Sequence, residues 1–221
     1  MKKKISLIVL MVAVCGMGWG NPKPKVVACV GDSITAGYGI PAKKRDTHSY
    51  PAVLGNLLGS KYKVVNLGAS GRTLLREEDM AWVKTGRSKQ LKNLKPDIFI
   101  LMLGTNDSKK KHWIHKDSFE RDLEQFIADF KQINKSGKIY LCLPPPAFDK
   151  SGSLSDGDSI SGVRIRKEII PIIKEVAKKH HLETIDIFSA MRSHPELFSD
   201  GVHPNEKGAA ILAKIIQQKI Q

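Results

Sequence analysis

Cysteine is scarce in this chain, three residues in 221, too few for a small domain stapled by disulfides. There is no Cys-x-x-Cys, and no His/Cys cluster has zinc spacing, so nothing implies a metal or another cofactor. His112 and His115 lie three apart, but no carboxylate or third histidine joins them at helical spacing. That pair reads as part of a surface loop. Internal repeats, low-complexity tracts and a linker that would split the chain are missing as well, which favours one domain. No apolar run approaches the roughly 20 residues that a membrane span needs, so stable membrane insertion is not expected. Gly (18) and Pro (11) are near average and 41% of residues are hydrophobic. A disordered or collagen-like chain is thereby excluded, and a buried core is available.

Negative charge is in the minority: 22 Asp and Glu stand against 36 Lys and Arg, a net charge of +14. Three of the lysines, Lys2, Lys3 and Lys4, precede an apolar stretch from Ile5 to Val14 with only Ser6 within it, and Gly18-Trp19-Gly20 follows. This is the pattern of a signal peptide over residues 1–20. It predicts export to the periplasm or the exterior and a single mature domain over 21–221. Cys15 offers lipid attachment as an alternative, disfavoured by the bulky Val14 before it. Without the three leader lysines the net charge is +11, which draws a protein to acidic glycans or envelope polymers. The basic groups are scattered (Lys43-Lys44-Arg45, Lys109 to Lys111, Lys178-Lys179) with no aromatic interleaving. Nucleic acid is therefore not the expected partner.

Five short runs read as strands, Val26–Val30, Lys63–Asn66, Ile98–Leu103, Lys138–Leu143 and Glu183–Ile187; the first, third and fourth are almost continuously apolar, as strands buried on both faces should be. Helix-period segments separate them. Ser118 to Gly137 carries Phe119, Leu123, Phe126, Ile127, Phe130 and Ile133 on one face, with capping residues at both ends. Ser161–His180 contains Pro171, a kink or break, and Asn205–Ile220 is the last helix. Strand–helix alternation predicts a parallel sheet with helices on both faces, and ligands beyond the carboxyl ends of its strands.

The residues just after the strands carry the chemistry: Gly31-Asp32-Ser33, Asn66-Leu67-Gly68, Gly104-Thr105-Asn106-Asp107, and Asp200-Gly201-Val202-His203 before the last helix. A serine hydroxyl needs a base, usually histidine, and the base needs a carboxylate to hold its tautomer. Ser33, His203 and Asp200 fit those roles. The developing oxyanion needs fixed donors, for which the Ser33 and Gly68 amides and the Asn106 side chain are candidates. Asp32 and Asp107 read as loop hydrogen-bonders. Trp82, Trp113 and Arg72 stand in loops that could flank a sugar substrate.

These four blocks in this order resemble the SGNH hydrolases, the GDSL esterase/lipase family, over about residues 26–220. The resemblance implies a three-layer α/β/α, flavodoxin-like fold with a five-stranded parallel sheet. It also implies Ser33 as nucleophile, His203 as base, Asp200 as its partner, and Gly68 and Asn106 in the oxyanion hole. No Gly-x-Ser-x-Gly elbow is present, so the α/β-hydrolase fold is disfavoured. Ser49-Tyr50-Pro51, Val64 to Leu75 and Leu103 to Lys109 with Trp113 resemble bacterial sialate O-acetylesterase-like members, which implies an acetylated carbohydrate as substrate. Ala36-Gly37-Tyr38-Gly39 resembles the lysophospholipase/thioesterase branch instead. A glycan-binding protein that retains the fold is a third, non-enzymatic reading. Cys29 and Cys142 are expected to stay unpaired, because in the flavodoxin-like order the third strand separates theirs.

Overall fold

A computed structural model describes residues 23–221. The expected signal peptide, and Cys15 with it, lies outside the described residues. Five parallel strands, β1 (Lys25–Gly31), β2 (Tyr62–Gly68), β3 (Ile98–Met102), β4 (Lys138–Leu143) and β5 (Glu183–Asp186), line up in the order β2-β1-β3-β4-β5. The side chains of β1 divide by alternation. Val27 and Cys29 enter one core with Tyr50, Leu54, Leu212 and Ile216; Ala28 and Val30 enter the other with Phe119, Phe126, Phe130 and Ile173. The helices Tyr50–Leu58 and Glu206–Ile220 thus cover one face, while Phe119–Ile133 and Ile170–Lys179 cover the other. The architecture is the three-layer α/β/α expected from the alternation of elements.

Two helices differ from their sequence pattern. The helix ending at Ile133 stops before Gly137, with Asn134 extended as its C-cap. Asn134 Nδ2 instead donates to the Pro96 carbonyl (2.9 Å), and a Cβ on Gly137 would come within 2.6 Å of the Phe99 ring. Glycine there serves close packing and not the cap. The stretch after Ser161 is an α-turn (Gly162–Arg164), a π-turn (Ile165–Ile169) and an α-helix from Ile170. Pro171, which lacks a donor, thereby follows directly on the π-turn, where the regular α-helical ladder is already interrupted.

Cys29 and Cys142 are both free and buried, on β1 and β4 with β3 between them. Burial pushes the Cys29 thiol up to about 12, against a hydrogen bond with Tyr50. The sheet reverses its order at β1 and β3, and loops diverging there open the crevice where ligands bind in such folds.

Candidate active site

β1 ends at Gly31 and the chain turns at once into a four-residue helix, Ser33–Ala36. Asp32 caps it, Oδ1 accepting from the Ile34 amide at 2.9 Å, which sets Ser33 at the first helical position. Ser33 Oγ lies 2.9 Å from His203 Nε2. His203 Nδ1 lies 2.7 Å from Asp200 Oδ2. With Nδ1–H donating to the carboxylate, Nε2 is the acceptor for the serine hydroxyl. The other Asp200 oxygen accepts from the amides of Val202 (3.0 Å) and His203 (2.8 Å). Partial burial would raise the Asp200 carboxyl, but these bonds with His203 and Val202 outweigh it and hold it below its ordinary value. The turn closes through Ser199 N–H on the His203 carbonyl (2.8 Å) and leads into the helix Glu206–Ile220, capped by Asn205.

Asn106, on the loop after β3, is buried; its Nδ2 donates to the Arg72 carbonyl at 3.2 Å, leaving a second N–H on that nitrogen. Asp107 accepts from the Leu74 and Leu75 amides at 2.9–3.0 Å, tying the loop after β2 to the loop after β3. Burial lifts its carboxyl to about 6 against those amide bonds. Gly68 corrects its expected role. Its amide donates to Asn66 Oδ1 at 2.9 Å and is not a free donor. A Cβ there would lie 2.2 Å from the Ala36 nitrogen, so it is the serine helix, not a substrate, that requires glycine. Gly71, at φ +75°, directly precedes the Arg72 carbonyl that Asn106 holds. Its amide donates to no protein acceptor among the described residues.

Neither tryptophan offers a face to a sugar. Trp82 is 1% exposed, its indole N–H on the Leu67 carbonyl (2.9 Å) and its ring against Phe126; it props the end of β2. Trp113 is buried edge-on to Phe119, its indole N–H on Glu168 (2.7 Å). Arg72 is half-buried, and it is its carbonyl that meets the site. The histidine pair is corrected too. His112 is buried with Nδ1 2.9 Å from Glu78, and His115 lies 3.6 Å from the same carboxylate. Sequence spacing missed Glu78 because it comes from another loop. Also unforeseen is Tyr38, whose ring centroid lies 4.6 Å from the His203 ring. Its sequence signals are its place in the loop just after the serine and its membership of Ala36-Gly37-Tyr38-Gly39, neither of which places it against His203.

A parallel α/β/α sheet with a Ser–His–Asp chain of contacts at its switch point defines a class, the flavodoxin-like proteins carrying a serine-hydrolase constellation. The sequence profile of the GDSL-like lipase/acylhydrolase family matches residues 29–211, and the chain belongs to that family. An acetylxylan esterase of Xylanibacter ruminicola is 39% identical over 222 residues, 90% of this chain and 45% of its own length. A multidomain esterase of Ruminococcus flavefaciens is 30% identical over 136 residues, 59% of this chain and 16% of its own. The chain therefore spans less than half the length of these curated relatives. The crystal structure of the lipase/acylhydrolase from Enterococcus faecalis is similar with a TM-score of 0.68 at 25% identity, covering 89% of this chain and 95% of that one. Among the described residues no helix is long and apolar enough to cross a membrane.

Proposed function

We propose that the chain is an exported serine esterase that removes acetyl groups from a polysaccharide through an acyl-enzyme. The observation that carries this reading is the unbroken run from Ser33 Oγ to His203 to Asp200, at 2.9 and 2.7 Å. In the first step Ser33 Oγ attacks the acetyl carbonyl while His203 Nε2 takes its proton, and Asp200 steadies the imidazolium that results. The same Nε2 then gives the proton to the departing sugar oxygen. Water, activated in turn by His203, releases acetate and restores the serine. We assign the oxyanion to the Ser33 amide, the second N–H of Asn106 and the Gly71 amide, since the Gly68 amide is already bonded to Asn66.

The acetylxylan esterase relative directs the substrate toward a xylan-type polysaccharide rather than the sialic acid of the sequence resemblance. Export rests on the leader pattern alone, Lys2 to Lys4 before Ile5 to Val14. Acetate release from acetylated xylan, together with p-nitrophenyl esters of two to sixteen carbons, tests the reading. Activity should be highest for acetyl. A kcat/KM that climbs steadily past about eight carbons, as burial of each CH₂ at about 0.8 kcal/mol would produce, would instead establish the lysophospholipase-type reading. Binding of the glycan without turnover of any ester would establish the non-enzymatic one.

A further inference from the structure

If His203 Nε2 protonates the departing sugar oxygen, as the esterase reading requires, the sugar must lie against the imidazole. Tyr38 lies there, its ring tilted 59° to the His203 ring. It is 48% exposed, while most large apolar side chains of the described residues are buried. An open aromatic ring touching the histidine is a surface for something else to pack on. Arg45 stands over the same ring, its guanidinium carbon 5.2 Å from the Tyr38 centroid in a cation–π contact, so that the exposed part of the ring and the guanidinium edge lie side by side. Arg45 Nε donates to the Ile40 carbonyl at 3.1 Å, which fixes the direction of the side chain. Its neighbours Lys44 and His48 both reach Glu206, at 2.8 and 3.7 Å. Arg45, by contrast, meets no carboxylate at salt-bridge distance among the described residues, and its two terminal nitrogens bond to no protein acceptor there. The adjacent acid, Asp46, is likewise without an ion pair. A planar fork with both ends open suits bidentate binding of a carboxylate.

We propose that Tyr38 and Arg45 form a subsite on the leaving-group side for a sugar bearing a uronate: Tyr38 packs against the pyranose ring and Arg45 grips the carboxylate. This rests on the esterase reading and narrows its substrate to acidic, uronate-substituted polysaccharides. The net charge of +11 that remains without the three leader lysines would aid capture of such a polyanion.

The test compares kcat/KM for acetylated xylooligosaccharides with and without glucuronic acid side groups, with p-nitrophenyl acetate as a third arm. The wild type should prefer the uronate-bearing substrate by about tenfold or more, the scale of one charge-assisted contact. Arg45→Gln should bring that ratio close to one, and Arg45→Lys should restore part of it. Tyr38→Ala should lower both oligosaccharide values by about tenfold relative to p-nitrophenyl acetate in the same variant. Raising the salt should raise the wild-type KM for the uronate substrate and leave that for the neutral one in place, a reading that needs no variant. A wild type with no uronate preference, or a preference that survives Arg45→Gln, overturns the subsite. Failure to release acetate from all three arms would sink the esterase reading itself.

Discussion

Two aspartates flank the same serine–histidine pair and are held in opposite ways. Asp200 stands on the loop before the last helix with its side chain 49% exposed, and both of its oxygens accept hydrogen bonds. Partial burial is outweighed by those bonds, and its carboxyl sits below the ordinary value. Asp32 sits one residue before the serine at 1% exposure. One of its oxygens caps Ile34; the other meets no donor in hydrogen-bond geometry among the described residues, although the Thr105 hydroxyl stands close enough to favour the anion slightly. Burial dominates here and nearby Asp107 adds repulsion; the Ile34 amide, the Lys109 charge and the Thr105 hydroxyl offset only part of it, and the carboxyl is pushed up to about 7. The number of donors, set against depth from solvent, decides which carboxylate stays an anion. Asp200 is thereby fitted to serve an imidazolium, whereas Asp32 is fitted to shape the turn that presents Ser33.

The largest effects expected are from Ser33→Ala and His203→Ala, each lowering kcat for p-nitrophenyl acetate by about 10⁶, as loss of a nucleophile or base does. Asp200→Asn should follow at about 10⁴, because an amide in place of the carboxylate favours the wrong imidazole tautomer. Asp32→Asn should keep activity within about tenfold of the wild type, since its Oδ1 can still cap Ile34. Equal losses in the two aspartate variants, measured on folded protein, would break the comparison. Asn106→Ala should reduce kcat by about 10²–10³ with KM little changed if the second N–H meets the oxyanion. A loss confined to KM would make Asn106 a substrate contact.

The sheet and the grouping of Ser33, His203 and Asp200 were legible in the sequence for a simple reason. The central strands β1, β3 and β4, buried on both faces, read as apolar runs, whereas the partly exposed edge strands β2 and β5 mix polar residues into theirs. Ser33 and Asn106 each follow a central run and His203 precedes a capped helix. What sequence left hidden depends on contacts between loops. Gly68 looked like a place for substrate to approach backbone, but the neighbour that needs the space is Ala36. Trp82 and Trp113 looked like loop aromatics available to a sugar, yet each indole N–H is taken, by Leu67 and by Glu168, and each ring is buried. Glu78 lies 34 residues before the histidine it holds. No periodicity or local spacing carries pairings of that kind.

The last effect concerns stability and not rate, and it tests the contrast between the aspartates at its root. Unfolded, Asp32 loses its proton near 3.8; folded, it keeps it to about 7. Well below pH 3.8 both states are protonated and this residue adds no pH dependence. Between pH 4 and 7 the folded state binds more protons than the unfolded one, so the wild type loses stability as pH rises. The gap of roughly three units, at about 1.36 kcal/mol each, sets a ceiling on the order of 4 kcal/mol, reached above pH 7. Asp32→Asn has no such proton to lose. Asp107, lifted to about 6 by its own burial, is present in both proteins and largely cancels in their difference. Asp200 acts in the opposite sense, its stabilisation being lost only as pH falls through its depressed value. Urea midpoints of the wild type and Asp32→Asn at pH 4, 5.5, 7 and 8 should therefore show a difference that grows in favour of the variant up to about pH 7 and then levels off. Parallel curves across that range would mean that the second Asp32 oxygen finds a donor in solution and ionises normally, and the two aspartates would then differ in position but not in kind.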